Sequence, residues 1–443
     1  MGLTGLDIFK LLPKTNCKKC GQPTCLAFAM NLAQKKIELD KCPDISAEAK
    51  EKLAGAAAPP IRLVDIGPDA KKLSIGQETQ LFRHDEKFHR PCGVAVTVAD
   101  DLADEALKER IERIKNLKFT RVGTDIAVNL IAVMNKSGKA DAFAKAAKTA
   151  AGAEMLLILS SDNAANIKAA IAEVGAQRPL LHAATAQNVD AMAKLAKEAK
   201  CPIAVKAGSL EEIADLTEKA KAAGVEDIVI DLSGDLKSAL QKLTKARRAA
   251  LKKTFRPLGY PAIAFVQTDD PYQQTLEAST FVLKYAGIVV VNVTEPWQIL
   301  PILTARMNIY TDPQKPIQVE PKLYSIGDVN ENSPVMFTTN FSLTYFSVES
   351  DVEASRIPSY ILAVDTEGTS VLTAYSGDKL NEKVVHKAMQ NAKLDQVVKH
   401  RKLIIPGHVA VMSGKLEEET GWQIMVGPKE SSVIPAYLKQ VWT

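Results

Sequence analysis

No run of eighteen apolar residues occurs in this 443-residue chain, so no segment of it reads as a membrane-spanning helix. An excess of one charge sign is missing too: 56 Lys and Arg against 52 Asp and Glu leave +4, spread in mixed-sign patches. A nucleic-acid binder would carry a basic stripe, and none is present. Aromatic residues make up only 5%, and abundant Ala points instead to closely packed helices. Met1 to Pro13 lack the charged start, apolar core and small-residue cleavage site of a secretory signal. What the chain does have is an ordinary globular balance, with 46% hydrophobic and 24% charged residues. At about 100–200 residues per domain, its length argues for two to four domains. The expectation is a soluble cytoplasmic protein with no nucleic-acid and no membrane partner.

The cysteines are unevenly placed. Cys17, Cys20, Cys25 and Cys42 crowd the first tenth of the chain, while Cys92 and Cys201 stand alone. Disulfide scaffolds belong to small secreted domains, so the four are read as metal ligands. Thiolates in the pattern Cys17-x2-Cys20-x4-Cys25-x16-Cys42-Pro43 suit a [4Fe–4S] cluster or a structural zinc. Zinc ribbons favour two tight C-x2-C pairs, and only one exists here, which favours the cluster. Asn16, Gly21, Gln22 and Pro23 supply turns that bring backbone N–H groups near the sulfurs. A helix over Leu26–Lys36 would shield one side with Leu26, Met30 and Ala33. A short helix over Ser46–Leu53 and a Gly55–Pro60 linker end this module, giving a cluster domain over 1–57 and a linker with barrel lead-in over 58–92. Cys92 and Cys201 each precede a strand and read as small buried hydrophobes.

From 93 to 320 the pattern alternates. Apolar runs at Val94–Val98, Ile126–Met134, Met155–Leu159, Leu180–Ala184, Ile203–Lys206, Asp227–Leu232, Ala262–Gln267 and Ile288–Val293 are separated by helical segments. Eight strand–helix units fit a closed (β/α)8 TIM barrel better than an open doubly wound sheet. Its strand ends carry Asn135, Ser160, Asp162, Thr185, Asp231, Asp269, Asp270, Thr294 and Glu295. Asp162, Thr185 and Asp235 are expected to cap helices. No catalytic constellation accompanies them, so the barrel reads as a docking surface.

The last domain, 321–443, reads as a smaller α/β unit. Strands are expected at Val335–Thr339, Ser342–Phe346, Tyr360–Val364, Leu403–Ile405, Val409–Met412 and Gln423–Val426, with helices at Asn381–Ala392 and Pro435–Val441. The loops Asp365-Thr-Glu-Gly368-Thr-Ser370, Ile405-Pro-Gly407 and Val426-Gly427-Pro428 are rich in Gly and small hydroxyls. At strand ends such loops form a crevice in which a large ligand approaches the backbone.

This order of four-Cys module, barrel and α/β domain resembles the large (gamma) subunit of the corrinoid iron–sulfur protein of the anaerobic acetyl-CoA (Wood–Ljungdahl) pathway of carbon fixation. The resemblance covers the whole chain. It rests on Cys17-Lys-Lys-Cys20-Gly-Gln-Pro-Thr-Cys25-Leu-Ala-Phe-Ala-Met, Gly327-Asp-Val-Asn-Glu-Asn-Ser-Pro-Val, Thr339-Asn-Phe-Ser-Leu-Thr-Tyr345 and Ile357-Pro-Ser-Tyr-Ile-Leu-Ala-Val-Asp365. It implies a methyl carrier: a cobamide in the C-terminal domain, as Co(I), takes a methyl from methyltetrahydrofolate through a methyltransferase and delivers it to acetyl-CoA synthase. The [4Fe–4S] cluster would return Co(II) to Co(I), with a reductive activator as a further partner. A small corrinoid protein subunit would complete a heterodimer. The cobalamin signature Asp-x-His-x-x-Gly is replaced by Asp365-Thr-Glu-Gly368, so no His is expected below the cobalt and the cofactor is expected base-off. His386, His400 and His408 read as ordinary surface or packing residues. Ser370, Val371, Leu372 and Thr373 are expected under the corrin, with Asn340, Phe346, Gly407 and Val433 as further contacts. No independent catalytic motif is found. Two other readings remain open at this point: an iron–sulfur electron-transfer or scaffold subunit, and a pterin-dependent methyltransferase barrel.

Overall fold

The computed structural model describes residues 5–33, 37, 39–46, 49, 53 and 59–442. Most of the helix expected over Ser46–Leu53 and of the Gly55–Pro60 linker lies outside them. The chain divides into two compact units, Met1–Phe119 with Ile126–Tyr310, and Thr120–Asp125 with Thr311–Thr443.

In the first unit, eight parallel strands close into a barrel in sequence order: Gly93–Ala99, Leu130–Met134, Leu156–Ser160, Leu180–Ala184, Ile203–Lys206, Ile228–Asp231, Ala262–Phe265 and Ala286–Val291. The eighth closes on the first through pairs such as Val290 with Ala95. Inward residues are small or branched: Ala95, Ala132, Ile158, Ala204, Val229, Ile263 and Val290 fill the interior. A larger apolar layer lies between strands and helices, where Phe143, Ile167, Ile213 and Phe281 are buried. An antiparallel hairpin, Val64–Ile66 with Leu73–Ile75, adds Val64, Ile66 and Ile75 to the interior cluster beside the first residues of several strands. The barrel is therefore a packed core, plugged at the ends where its strands begin. The run Ile126–Met134 is split: Ile126 belongs to a second hairpin (Lys118–Arg121 with Thr124–Ala127), and the barrel strand starts at Leu130.

Cys92 and Cys201 are buried, as the sequence suggests; burial pushes their thiols up to about 12 and about 11. Asp235 caps its helix through the Ser238 N–H at 2.7 Å. Asp162 and Thr185 do not. Asn163 accepts the Ala165 N–H instead, and the Thr185 N–H is donated to the Asn188 side chain. At the first site Asn163 does the capping; at the second, Asn188 begins the helix without a side-chain cap.

The second unit holds a five-stranded sheet ordered Leu323–Ile326, Ser359–Val364, Val335–Thr339, Lys402–Ile405, Gln423–Val426. Only the Leu323–Ile326 edge is antiparallel. The chain enters this parallel sheet at the central strand, places its second strand on one side and its third on the other. That reversal puts a ligand crevice outside the ends of Val335–Thr339 and Lys402–Ile405.

Two strands expected here are helical. Ser342–Phe346 opens the helix Ser342–Ser355, in which Ser342, Tyr345, Val352 and Ser355 are buried. Their spacings of three and seven residues define one helical face, and packing of Tyr345 overrides the strand preference of Thr, Tyr and Phe. Val409–Met412 falls in a 3-10 turn, Gly407–Met412, where Val409 and Met412 are buried three residues apart.

Candidate cofactor sites

The N-terminal loop is built around its sulfurs. Cys25 starts the helix Cys25–Ala33, and with Cys42 it is buried among Ile8, Leu12, Phe28 and Leu32. Lys14, Asn16, Lys18 and Gly21 all take positive φ, the tight turns on which the first two cysteines sit. The Asn16 N–H is donated to Cys25 Sγ at 3.4 Å, and the Asn16 side chain accepts the Cys25 N–H at 2.7 Å. Such donors stabilise a thiolate. Cys42 is raised chiefly by burial, and also by negative charge on Cys20, Cys25 and Cys17, so the four sulfurs share one electrostatic neighbourhood. Iron bound there would supply the compensating charge. Among the described residues no group of three His, Cys, Asp or Glu converges on a single ion. The four thiols, with the Asn16 N–H on the Cys25 sulfur, fit an iron–sulfur cluster.

At the barrel mouth the strand ends form a closed polar network. Ser160 Oγ lies 2.9 Å from His182 Nδ1, and His182 Nε2 lies 2.9 Å from Asp231 Oδ2. The other Asp231 oxygen accepts the Ser233 N–H and hydroxyl, and the Ser233 oxygen accepts the Phe265 N–H at 2.8 Å. Burial alone would raise the Asp231 carboxyl, but the bonds from His182 and Ser233 hold it below the usual range. The order nucleophile, imidazole, carboxylate resembles a hydrolytic triad. All three residues are buried, however, and the Ser161 N–H beside the hydroxyl is already donated to His182 O at 2.8 Å, leaving it no free lobe for an oxyanion. The network works as an internal brace. His182 was invisible in the sequence, set in the apolar strand Leu-Leu-His-Ala-Ala. Nearby, Asp100 takes the Lys136 and Ser137 N–H groups at 2.7 and 2.8 Å and the Ser137 hydroxyl at 2.6 Å.

The crevice of the second unit differs. A cavity of about 330 Å3 opens between the strand faces carrying Met336, Thr338 and Ile404 and the helices Ser342–Ser355 and Ile434–Val441. Thr338 is 1% exposed, yet its hydroxyl has no hydrogen-bond partner. Leu343, Leu372, Tyr375, Val426 and Val433 are exposed on segments at or beyond the strand ends, an apolar rim of the kind that marks a binding surface. An orphaned hydroxyl and an apolar rim fit a large, mostly apolar ligand with polar appendages.

The expected contacts fall at several places. Ser370, Val371 and Leu372 line the cavity; Ser370 precedes the short helix Val371–Ser376. Thr373 is exposed in that helix, its hydroxyl 3.0 Å from that of Ser370. Asn340 is fully buried, and its amide is saturated by protein. The amide nitrogen donates to Gln318 and Asp365 at 3.1 Å each, and the oxygen accepts the Thr366 and Gly368 N–H groups at 3.0 and 3.1 Å. It pins the Asp365–Ser370 loop. Gly368, at φ +71°, could not carry a side chain there, since a Cβ would meet Gln318 at 2.6 Å. Phe346 packs edge-on against Tyr345 with ring centroids 5.1 Å apart. Gly407 is buried, its N–H donated to Pro428 O at 3.0 Å, so it brings two loops together. Val433 is exposed on the short turn Ser431–Val433. His400 contacts Ser333 O at 2.8 Å and His386 contacts Glu419 at 3.1 Å, whereas His408 lines the cavity, a placement that its sequence context did not signal. The Asp365 loop follows the second parallel strand rather than the central one, one place from the reversal point.

Fold and sites together define a multidomain α/β protein with a thiol-rich N-terminal loop, a closed parallel barrel and an open-sheet crevice. Comparison with known proteins makes the assignment specific. A family described as CO dehydrogenase/acetyl-CoA synthase delta subunit matches residues 63–438, and an Fe-S cluster family matches residues 12–43. The corrinoid/iron-sulfur protein large subunit of Moorella thermoacetica is 47% identical over 441 residues, 99% of each chain. The acetyl-CoA decarbonylase/synthase complex subunit gamma of Methanothermobacter thermautotrophicus is 36% identical, over 100% of this chain and 99% of its own. That of Methanopyrus kandleri is 35% identical, over 99% and 98%. The chain belongs to the family of corrinoid/iron-sulfur protein large subunits. Among the described residues, no helix is long and apolar enough to cross a membrane.

Proposed function

We propose that this chain is the large subunit of a methyl carrier in acetyl-CoA synthesis. It would receive a methyl group through a methyltetrahydrofolate methyltransferase and present it to acetyl-CoA synthase. When bound, a cobamide supplies the metal centre that holds the methyl group, and a [4Fe–4S] cluster supplies the low-potential electron that keeps that centre reduced. Cys17, Cys20, Cys25 and Cys42 hold the cluster, with the Asn16 N–H on Cys25 sulfur. Ser370 to Thr373 would contact the corrin, and Asn340 holds their loop in place. Phe346, Gly407 and Val433 shape the surrounding surface. No imidazole stands on the Asp365–Thr373 loop, in keeping with a base-off cofactor. The small corrinoid protein subunit covers the other side of the cofactor, and a reductive activator restores the pair after oxidation.

The observation that carries the reading is the crevice: an apolar rim around a cavity with an unpartnered hydroxyl, in a chain that also bears four clustered cysteines. Metal assay and EPR spectroscopy of the anaerobically purified protein with its co-purifying partner test it. About four irons and one cobalt per heterodimer, with a base-off cobalt signal, are expected. Iron without cobalt, and without any capacity to take up cobamide, would leave an electron-transfer subunit in its place.

A further inference from the structure

Thr338 is the one cavity-lining group whose buried hydroxyl lacks a partner among the described residues. A buried unpaired hydroxyl costs free energy, so its persistence points to a ligand atom that completes it. The surroundings narrow the kind of atom. Strand alternation puts Thr338 on the same face as Met336, and with Ile404 and Leu438 these make the deep wall of the cavity apolar. Tyr437 adds an aromatic surface. Exposed His408, Lys429 and Glu430 belong to loops at the mouth. A ligand matching this gradient has an apolar, partly flat inner end with a single acceptor and a polar outer end. Thr339 also has an unpartnered hydroxyl, but it points to the opposite face, and nothing in the structure explains it.

We infer that Thr338 donates its hydroxyl proton to the ring nitrogen of the cobamide's lower base, the nitrogen left free when the base is detached from cobalt. Thr338 is thus a specificity-determining residue that reads the base; the inference rests on the carrier reading above. No covalent bond changes. One hydrogen bond forms between a buried donor and an aromatic nitrogen that would otherwise be buried unpaired.

The test compares Thr338→Val, Thr338→Ser and wild type as full-length protein stripped of corrinoid, with its partner subunit. Three probes are titrated and followed by absorbance: a benzimidazolyl cobamide, a phenolyl cobamide whose base has no ring nitrogen, and cobinamide, which has no nucleotide tail. Thr338→Val should weaken the benzimidazolyl cobamide by about fivefold to twentyfold. The same variant should bind the phenolyl cobamide and cobinamide within about twofold of wild type, and Thr338→Ser should restore the loss. Unchanged affinity for the benzimidazolyl form overturns the inference. An equal loss for the phenolyl form also overturns it, because the hydroxyl would then serve the ribose or phosphate. A wild type that binds cobinamide as tightly as the complete cobamide overturns it as well, since the tail then gains nothing from the cavity. A wild type that binds none of the three removes the carrier reading itself.

Discussion

The two parallel sheets of this chain end in opposite states. At the barrel mouth Ser160, His182, Asp231 and Ser233 pair with one another and with backbone, so the buried polar atoms of this network are used within the protein. At the end of the central strand in the second unit the Thr338 hydroxyl is buried without a partner, beside a cavity of about 330 Å3 and an exposed apolar rim. Strand ends of parallel sheets are where α/β proteins place their chemistry, but position alone does not say which end is used. Polar satisfaction does. A satisfied network braces a fold, and an unsatisfied group beside a cavity waits for a ligand.

The contrast can be broken first at the barrel. Asp231→Ala would strand the His182 and Ser233 donors in a buried site, and a loss of about 4 kcal/mol in urea unfolding is expected with corrinoid affinity per folded molecule unchanged. A loss of affinity without destabilisation would make the mouth a ligand site after all. Asn340→Ala should cost about 3 kcal/mol, because it unpairs the Thr366 and Gly368 N–H groups, and it should also weaken corrinoid binding by releasing the Asp365–Ser370 loop. Here both readouts move together.

A smaller effect follows from the charge on Asp231. Its carboxyl lies below the ordinary range in the folded protein, so it contributes stability that is complete above the unfolded value of about 3.9 and is lost as pH falls through the folded value. Asp231→Asn lacks this contribution. The stability gap between wild type and Asp231→Asn should therefore hold steady above about pH 5 and narrow as pH falls below about 3.9; a gap that widens on acidification contradicts the assignment. Smallest of all, Thr338→Val should leave unfolding within about 0.5 kcal/mol of wild type, since no protein bond is lost. A cost of several kcal/mol would show that the hydroxyl has a partner in the ligand-free protein.

The same contrast explains what the sequence could and could not disclose. The barrel was legible because its strands are short apolar runs between amphipathic helices, and eight such units leave few ways to close. The four cysteines are legible because Cys17, Cys20, Cys25 and Cys42 fall close together at metal-ligand spacings. Ser342–Phe346 reads as a strand because Ser-Leu-Thr-Tyr alternates like one; only the burial of Tyr345 and Val352 on one face reveals the helix Ser342–Ser355. Asn340 reads as a site residue from the sequence, and its amide is spent on the loop that carries its neighbours; chain order does not say which polar group a fold will satisfy. Thr338 and His182 were missed for that reason. Both look like strand residues until the groups opposite them are known.

Hydrogen–deuterium exchange of the corrinoid-stripped protein, with and without a benzimidazolyl cobamide, tests the contrast most directly. Protection is expected in segments 336–338, 370–373, 404–408 and 427–431, with no change in 160–162, 181–184 and 230–233. Protection at the barrel segments with none along the crevice would contradict the account.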